Sequence, residues 1–367
     1  TIVVLLILAG ITITYVMGDN SIFKKAQEAK SKTEEAMQNE QEYLNNLGNT
    51  INNHINGTGT TNPPKDKVEV STITERVDKN TSVEDSLGNL ITIPEGFRVV
   101  PDGQDGVEYK YTEDKRPTVQ DGIVIEDEEG NQFVWIPVGN IKNKDNTTTT
   151  IALGRYTFDD NGIETLVQNA TNYASTADAI IYYQELEISS YRNATAKSLS
   201  TFVNKTNSNR GYYLARYEAS EGTDNKVKSK SAAVWKNITQ SGAATKAQRM
   251  YESANFESDL VNSYAWDTAI VFIQTYSGDC DYSREKGKTF SNSTVNTGIN
   301  GDKRCNIYDM ASNTLEWTTE TYTNSGSPCT YRGGNSGSIY HYTASRDNNV
   351  LSTNGGSYSF RPLLYIK

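Results

Sequence analysis

Three cysteines, two histidines and one short acidic cluster hold most of the reactive chemistry available to this chain. Cys280, Cys305 and Cys329 lack the C-x-x-C spacing of a zinc ligand set, and His54 and His341 lie in separate regions, so no metal and no cofactor is expected. A disulfide suits the cysteines better. Cys280 and Cys305 bracket a polar stretch, 281–304, and closing a loop of roughly 25 residues contributes about 3 kcal/mol. Pairing of Cys305 with Cys329 is the alternative. Asp309, Asn313 and Glu316 stand close enough for acid–base work, but beside Trp317 their expected role is to bond backbone amides in loops. The acidic runs EDEEGN and DDNG lack the D-x-[DN]-x-[DN]-G register and distal glutamate of a calcium loop, so solvated turns are expected there. The N-x-[ST] triplets at Asn146, Asn169, Asn193, Asn204, Asn237 and Asn292 follow from a composition rich in Asn and Thr.

A second group suits recognition instead of reaction. Tyr340, His341, Tyr342, Arg346, Asn348 and Asn349 crowd into the stretch 338–358, read as a loop between core strands. Tyrosine offers rigid contact area and asparagine adaptable hydrogen bonds, so the expected ligand is a glycan or a protein surface. The competing expectation is that these residues simply cover the core.

The elements that must position these groups are mostly strands and short helices. EDSLGNLITIP at 84–94 and EDEEGNQFVWIP at 126–137 each place a Gly-Asn turn before a β-rich run closed by proline, which predicts two hairpins. GYYLARYE, 211–218, reads as a strand. Helices are predicted around 194–207, where Leu199, Phe202 and Val203 share a face, over 244–253, and over 263–276, where Trp266, Ile270 and Ile273 are spaced to face a core. KDNTTTT, 144–150, and the stretch 277–304 read as polar loops.

The chain opens on a different pattern. TIVVLLILAGITITYVM carries no charge, and Asp19 is the first ionisable side chain. From Ile22 and Phe23 to Ile55 the apolar residues fall mostly three or four apart, the helical period. The spacing predicts one helix over 1–56, apolar in 1–17 and amphipathic in 21–55, roughly 80 Å long, with a weak point at Gly18–Asn20. Ile2, Val3, Val4, Leu5, Leu6, Ile7, Leu8, Ile11, Ile13, Ile22 and Phe23 are the expected subunit-packing residues, because neighbours must bury an apolar helix that one head cannot cover. GTGTTNPPK, 57–65, is a linker. Hydrophobic residues make up 36% of the chain, yet 23 Tyr and 4 Trp suffice for a real core; the net charge of −10 argues against a nucleic-acid partner.

Two resemblances join these readings. The apolar run followed by GDNSIFKKAQEAK resembles type IV pilins, the clostridial-type prepilins in particular, over roughly the first 50 residues. That likeness implies a membrane-held precursor that assembles with identical subunits into a helical filament. NIYDMASNTLEWTTE (306–320), TYRGGNS (330–336) and YSFRPLLYIK (358–367), following GYYLARYE and AWDTAIVFI, resemble the formylglycine-generating enzymes, whose fold is C-type-lectin-like. Asp309, Met310, Asn313, Glu316 and Trp317 match the family's DMxGNxxEW element, Arg332, Gly333 and Gly334 its RGGS element, and Phe360 and Arg361 its GFR element. Ser312 and Ser359 stand where the family has glycine. The family's enzymes use a cysteine pair shortly after the RGG element, and from Asn335 onward this chain has no cysteine, so thiolate chemistry is not expected. The expectation is therefore an α+β chain: a long N-terminal α-helix, a β-rich connector at 66–120, and a C-type-lectin-like, formylglycine-generating-enzyme-like head at 121–367. Its expected function is that of a structural subunit of an extracellular filament, with adhesion second. A membrane-anchored enzyme and a monomeric anchored receptor are the alternatives.

Overall fold

The computed structural model describes residues 68–100, 117–167, 182–185, 195–299, 301–324 and 326–367. The expected α+β architecture is corrected: among the described residues the chain is mostly β, with four short helices, the longest being Ser263–Tyr276 at 14 residues. The stretch 1–56, its packing residues from Ile2 to Phe23, and the linker 57–65 lie outside the described residues. No helix among the described residues is long and apolar enough to cross a membrane.

The strands of the first hairpin and the two large sheets are β1 (Thr81–Glu84), β2 (Leu90–Ile93), β3 (Arg98–Val100), β4 (Val124–Glu126), β5 (Gln132–Pro137), β6 (Tyr183–Gln184), β7 (Gly211–Ala215), β8 (Phe256–Leu260), β9 (Leu315–Tyr322), β10 (Cys329–Arg332), β11 (Arg346–Asn349), β12 (Tyr358–Phe360) and β13 (Pro362–Ile366). One sheet has the order β8-β13-β7-β5-β4-β3 and is antiparallel throughout. In the other, the long β9 pairs with β10 on one edge and with β12, in parallel, and β6 on the other, while β11 extends it beyond β10. Every residue of β5, β7 and β13 is buried. Such runs show no alternation because both faces of the sheet are covered.

Helices close those faces. α1 (Leu199–Asn209) starts where the Ser198 hydroxyl accepts the Thr201 N–H at 3.2 Å, and its Phe202 meets Tyr212 of β7 and Tyr365 of β13 edge-on, both at 5.5 Å. α2 (Gln240–Gln248) is capped by Thr239. α3 (Ser263–Tyr276) is capped by Asn262, whose side chain accepts the Ala265 N–H at 2.9 Å, and occupies the bounds its spacing predicts. It packs on both β5 and β9 and so ties the two sheets together. α4 is the short Gly287–Phe290.

The two echoed sequences fold into the same turn. Asp85 Oδ1 accepts the N–H groups of Leu87 and Asn89 at 2.9 and 2.8 Å, and Asp127 Oδ1 those of Glu129 and Asn131 at 2.9 and 2.8 Å; each Asp also takes the amide of its Asn. Asp159 repeats the pattern with Asn161 and Ile163. In all three turns a glycine with positive φ (Gly88, Gly130, Gly162) completes the bend. The first hairpin, β1–β2, precedes β3, and β3 pairs with β4 across residue 120, so the stretch expected as a separate connector belongs with the rest of 67–367 in one compact unit.

Candidate functional site

The residues matching the DMxGNxxEW element form the centre of a buried polar cluster, as bonding groups and not as a reaction site open to solvent. Asp309 and Asn313 take left-handed backbone with φ of 64° and 66°, whereas Ser312 and Ser359, the two departures from glycine, do not occupy positive-φ positions. Asp309 Oδ2 accepts the Gly298 N–H at 2.6 Å and the Thr297 hydroxyl at 2.9 Å. Asp302 takes the Tyr282 hydroxyl, the Ala311 N–H and the Ser312 hydroxyl at 2.8, 2.9 and 3.0 Å. Glu218 accepts from Asn313 and from the Thr314 N–H and hydroxyl. Glu316 is bound twice by Arg361.

Four carboxyl groups thus share one buried region, and their acidity shows it. Burial, then repulsion by Asp309, raises Asp302 to about 6; burial, against the Gly298 and Thr297 donors, raises Asp309 to about 6. Glu218 and Glu316 are raised as well, first by burial; in Glu316 the Arg361 guanidinium offsets this only in part. The cluster holds protons more tightly than free carboxyls do. Among the described residues no group of three or more His, Cys, Asp or Glu side chains is placed to hold a metal ion.

Arg332 of the RGG element sits in a second buried network. Arg332 and Arg346 both pair with Asp267 and Glu320, and Arg155 reaches Glu320 at 3.0 Å. Burial pushes the Asp267 and Glu320 carboxyls up, but attraction by Arg332 and Arg346 outweighs it and both end below the ordinary range. Asp267 was legible as the lone charge inside an apolar helical run; Glu320, Arg155 and Glu218 carry no such signal in the sequence.

The recognition candidates therefore divide. Arg346, expected in a loop, lies on β11 with a side chain 10% exposed and locked between Asp267 and Glu320, which corrects its assignment. Asn348 and Asn349 are also strand residues: Asn348 Nδ2 donates to Ser327 O at 2.8 Å and Asn349 Nδ2 to the Tyr358 hydroxyl at 2.9 Å. Tyr340, His341 and Tyr342 belong together on a surface turn. Ser338 Oγ accepts the Tyr340 and His341 N–H groups, both at 3.2 Å, and His341 Nδ1 lies 3.1 Å from that hydroxyl and 3.2 Å from Asn335 Oδ1. Burial lowers the His341 imidazole, with Asp347 acting against it. Tyr340 at the tip is 78% exposed. Behind the turn an aromatic ladder leads inward: His341 meets Tyr331 edge-on at 6.1 Å, Tyr331 meets Tyr358 at 5.2 Å, and Tyr358 stacks on the buried Trp317 at 4.6 Å. The turn is rigidly seated.

The expected Cys280–Cys305 disulfide is not formed; all three cysteines are free. The segments do meet, but through Arg304 Nε and Asp279 Oδ2 at 2.7 Å. Cys280 faces solvent, while Cys305 packs against the core with its carbonyl over Gly122.

No family model matches the chain, and no curated protein matches it. Among solved structures, the crystal structure of CarF is similar at 13% identity and a TM-score of 0.33, over 43% of this chain and 87% of that one. Treponema denticola variable protein 1 is similar at 14% identity and a TM-score of 0.28, over 64% of this chain and 95% of that one. At these TM-scores neither likeness carries an argument about fold or function.

Proposed function

We propose that this chain is a structural subunit of an extracellular pilus-like filament whose globular part is an interaction head and not an enzyme. The observation that carries the reading of the head is the Tyr340–Tyr342 turn: a tyrosine 78% exposed at the tip of a turn whose other members are all tied down. A large exposed aromatic on a rigid support loses little entropy on binding and suits recognition. The residues that could have passed for catalysts, Asp309, Asn313, Glu316 and Arg332, are engaged in structural bonds, and the segment after Gly334 contains no thiol.

The polymer half of the reading rests on sequence. The uncharged run from Ile2 to Met17 has to be buried somewhere, since each large aliphatic side chain left in water forgoes about 1.5–3 kcal/mol. A membrane would cover it before assembly and identical segments of neighbouring subunits afterwards; such heterologous contacts propagate into fibres. Electron microscopy of native surface material, with antibody raised against 67–367, tests this. Labelled filaments are the expected result. Label confined to the membrane, or full-length chain that stays monomeric in detergent-free buffer, overturns it, and turnover of a cysteine-containing peptide would restore the enzyme alternative.

A further inference from the structure

The segment 283–288, a 3-10 turn ending at Arg284, an extended Glu285–Lys286 step and the start of α4, is bonded to 338–344: Ala344 N–H donates to Ser283 O at 3.0 Å, Thr343 N–H to Glu285 O at 3.0 Å and Lys288 N–H to Ser338 O at 3.1 Å, with Lys286 opposite Tyr342. Arg284 and Lys286 converge on one ring, the guanidinium carbon 4.2 Å and the ammonium nitrogen 5.1 Å from the Tyr342 centroid. Glu285 stands between them, its carboxyl raised first by burial and then by Asp279, Asp302 and Asp281, with Arg304 acting against them. The acidic groups on this side are Asp160, which is 97% exposed and meets Arg284 at 3.2 Å, and Asp347, already occupied by the Tyr331 hydroxyl at 2.9 Å and the Asn348 N–H at 2.7 Å. Lys288 stands exposed at the end of the row. In a chain with a net charge of −10, the turn that among the described residues presents the most exposed tyrosine lies beside cations.

We propose that this turn takes an acidic polysaccharide, whose sulfate or carboxylate groups pair with Arg284 and Lys286 while the Tyr340 ring stacks on a sugar face. The inference rests on the reading of the head as an interaction module. A cation over the half-buried Tyr342 ring is held by about 0.5–1 kcal/mol or more, enough to fix its position. The Arg284–Asp160 pair is of the solvated kind worth about 0–1 kcal/mol, so a polyanion that meets several cations at once displaces it.

The test is titration of the full chain with size-matched heparin-derived oligosaccharide and neutral dextran at low and physiological salt. The expected result is binding of the sulfated chain only, weakened by salt, at least tenfold weaker in R284Q/K286Q and in Tyr340→Ala, and unchanged in K226Q/K230Q, a cation pair seated on Asp224 and the Glu129 carbonyl that controls for unspecific attraction. K286Q alone, with an unchanged melting temperature, guards against misfolding of the double variant and is expected to weaken binding several-fold. Binding that ignores R284Q/K286Q, or that is equal for dextran, overturns the proposal. Tyr340-dependent binding of a neutral glycan or an acidic protein overturns it too but leaves the interaction head standing, whereas the absence of any Tyr340-dependent ligand on a glycan and surface-protein array overturns both.

Discussion

Arg361 and Glu316, 45 residues apart in sequence, form a fully buried two-point ion pair: Arg361 Nη2 donates to Glu316 Oε1 at 2.7 Å and its Nε to Oε2 at 3.0 Å. Two of the three other guanidinium N–H donors go to Ala215 O at 2.9 Å and Tyr308 O at 2.8 Å. One side chain therefore fastens β9, the β12–β13 junction, the end of β7 and the 302–310 loop. Removing it strands a carboxylate and two carbonyls in the interior, so Arg361→Gln should cost about 3–5 kcal/mol, and Arg361→Lys a large part of that because a point charge cannot reproduce the fork. Urea unfolding of the compact unit measures it; a loss under about 1 kcal/mol would show the pair to be dispensable.

Much of this arrangement was readable in advance where local rules dominate. Helix α3 follows from Asn262 as cap and the spacing of Trp266, Ile270 and Ile273, and the two hairpins from the echoed Asp-x-x-Gly-Asn turns. β11 was not readable. Its sequence, Arg-Asp-Asn-Asn, has no apolar alternation; it becomes a strand because β10 offers a register and because Arg346 reaches Asp267 and Glu320, partners 79 and 26 residues away. The pairing of β3 with β4 was unreadable for the same reason, since nothing local to Arg98–Val100 reveals its partner. The disulfide expectation failed because bracketing a loop fixes the chain's path but not the direction of a thiol.

The free thiols should react in a fixed order. The thiolate is the nucleophile, and burial raises Cys305 to about 12 and Cys329 to about 11, while Cys280 is exposed. In native, non-reduced protein, Ellman's reagent at about pH 8 should label Cys280 in the first phase and the other two only on unfolding. Recovery of a single reactive thiol from denatured, non-reduced chain would restore a disulfide.

Stability should fall as pH rises from about 4.5 to 7.5. Asp259 titrates at about 7, Asp302 and Asp309 at about 6, and Glu185, Glu218, Glu285 and Glu316 are shifted upward, in every case first by burial. Unfolded carboxyls titrate near 4, so the folded chain holds extra protons across this window; the stability they bring is complete below about pH 4 and is lost as pH passes through 6 and 7. Asp267 and Glu320, shifted downward, are ionised in both states above about pH 5 and add no slope there. His341, lowered by burial, opposes the trend near pH 6.5, one group against seven among the described residues. Melting temperatures across the window measure the sum, and Asp259→Asn should flatten it. A melting temperature that climbs toward neutral pH would contradict the protonated cluster.

Gly334 of the RGG element should tolerate no side chain. A Cβ there would stand 1.9 Å from Ala311 O and 3.2 Å from Gly287 N, both backbone atoms that cannot swing aside. Gly334→Ala should destabilise the unit by about 1–3 kcal/mol through overpacking alone. Circular dichroism melts decide it, with Gly96→Ala, where the added carbon meets nothing within 4 Å but the φ of +82° remains, as the control that isolates backbone strain from collision.

Tyr340 and Arg346, six positions apart and both recognition candidates by composition, should part completely under substitution. Tyr340 is 78% exposed and no side-chain bond holds its ring, so Tyr340→Ala should change stability by less than about 0.5 kcal/mol. Arg346 donates to Asp267 at 2.8 Å and to Glu320 at 2.9 and 3.2 Å; burial works against its charge, but attraction to these two carboxylates outweighs it and keeps the guanidinium charged. Arg346→Gln leaves two buried carboxylates sharing Arg332 and Arg155, and should cost about 2–4 kcal/mol. The double variant should show simple additivity, because the Tyr340 ring touches none of the ion network. Denaturant midpoints for the two single variants and the pair measure all three quantities. Equal losses would place Tyr340 in the core and remove the ground for reading its turn as a binding surface, while a neutral Arg346→Gln would return Arg346 to the recognition set.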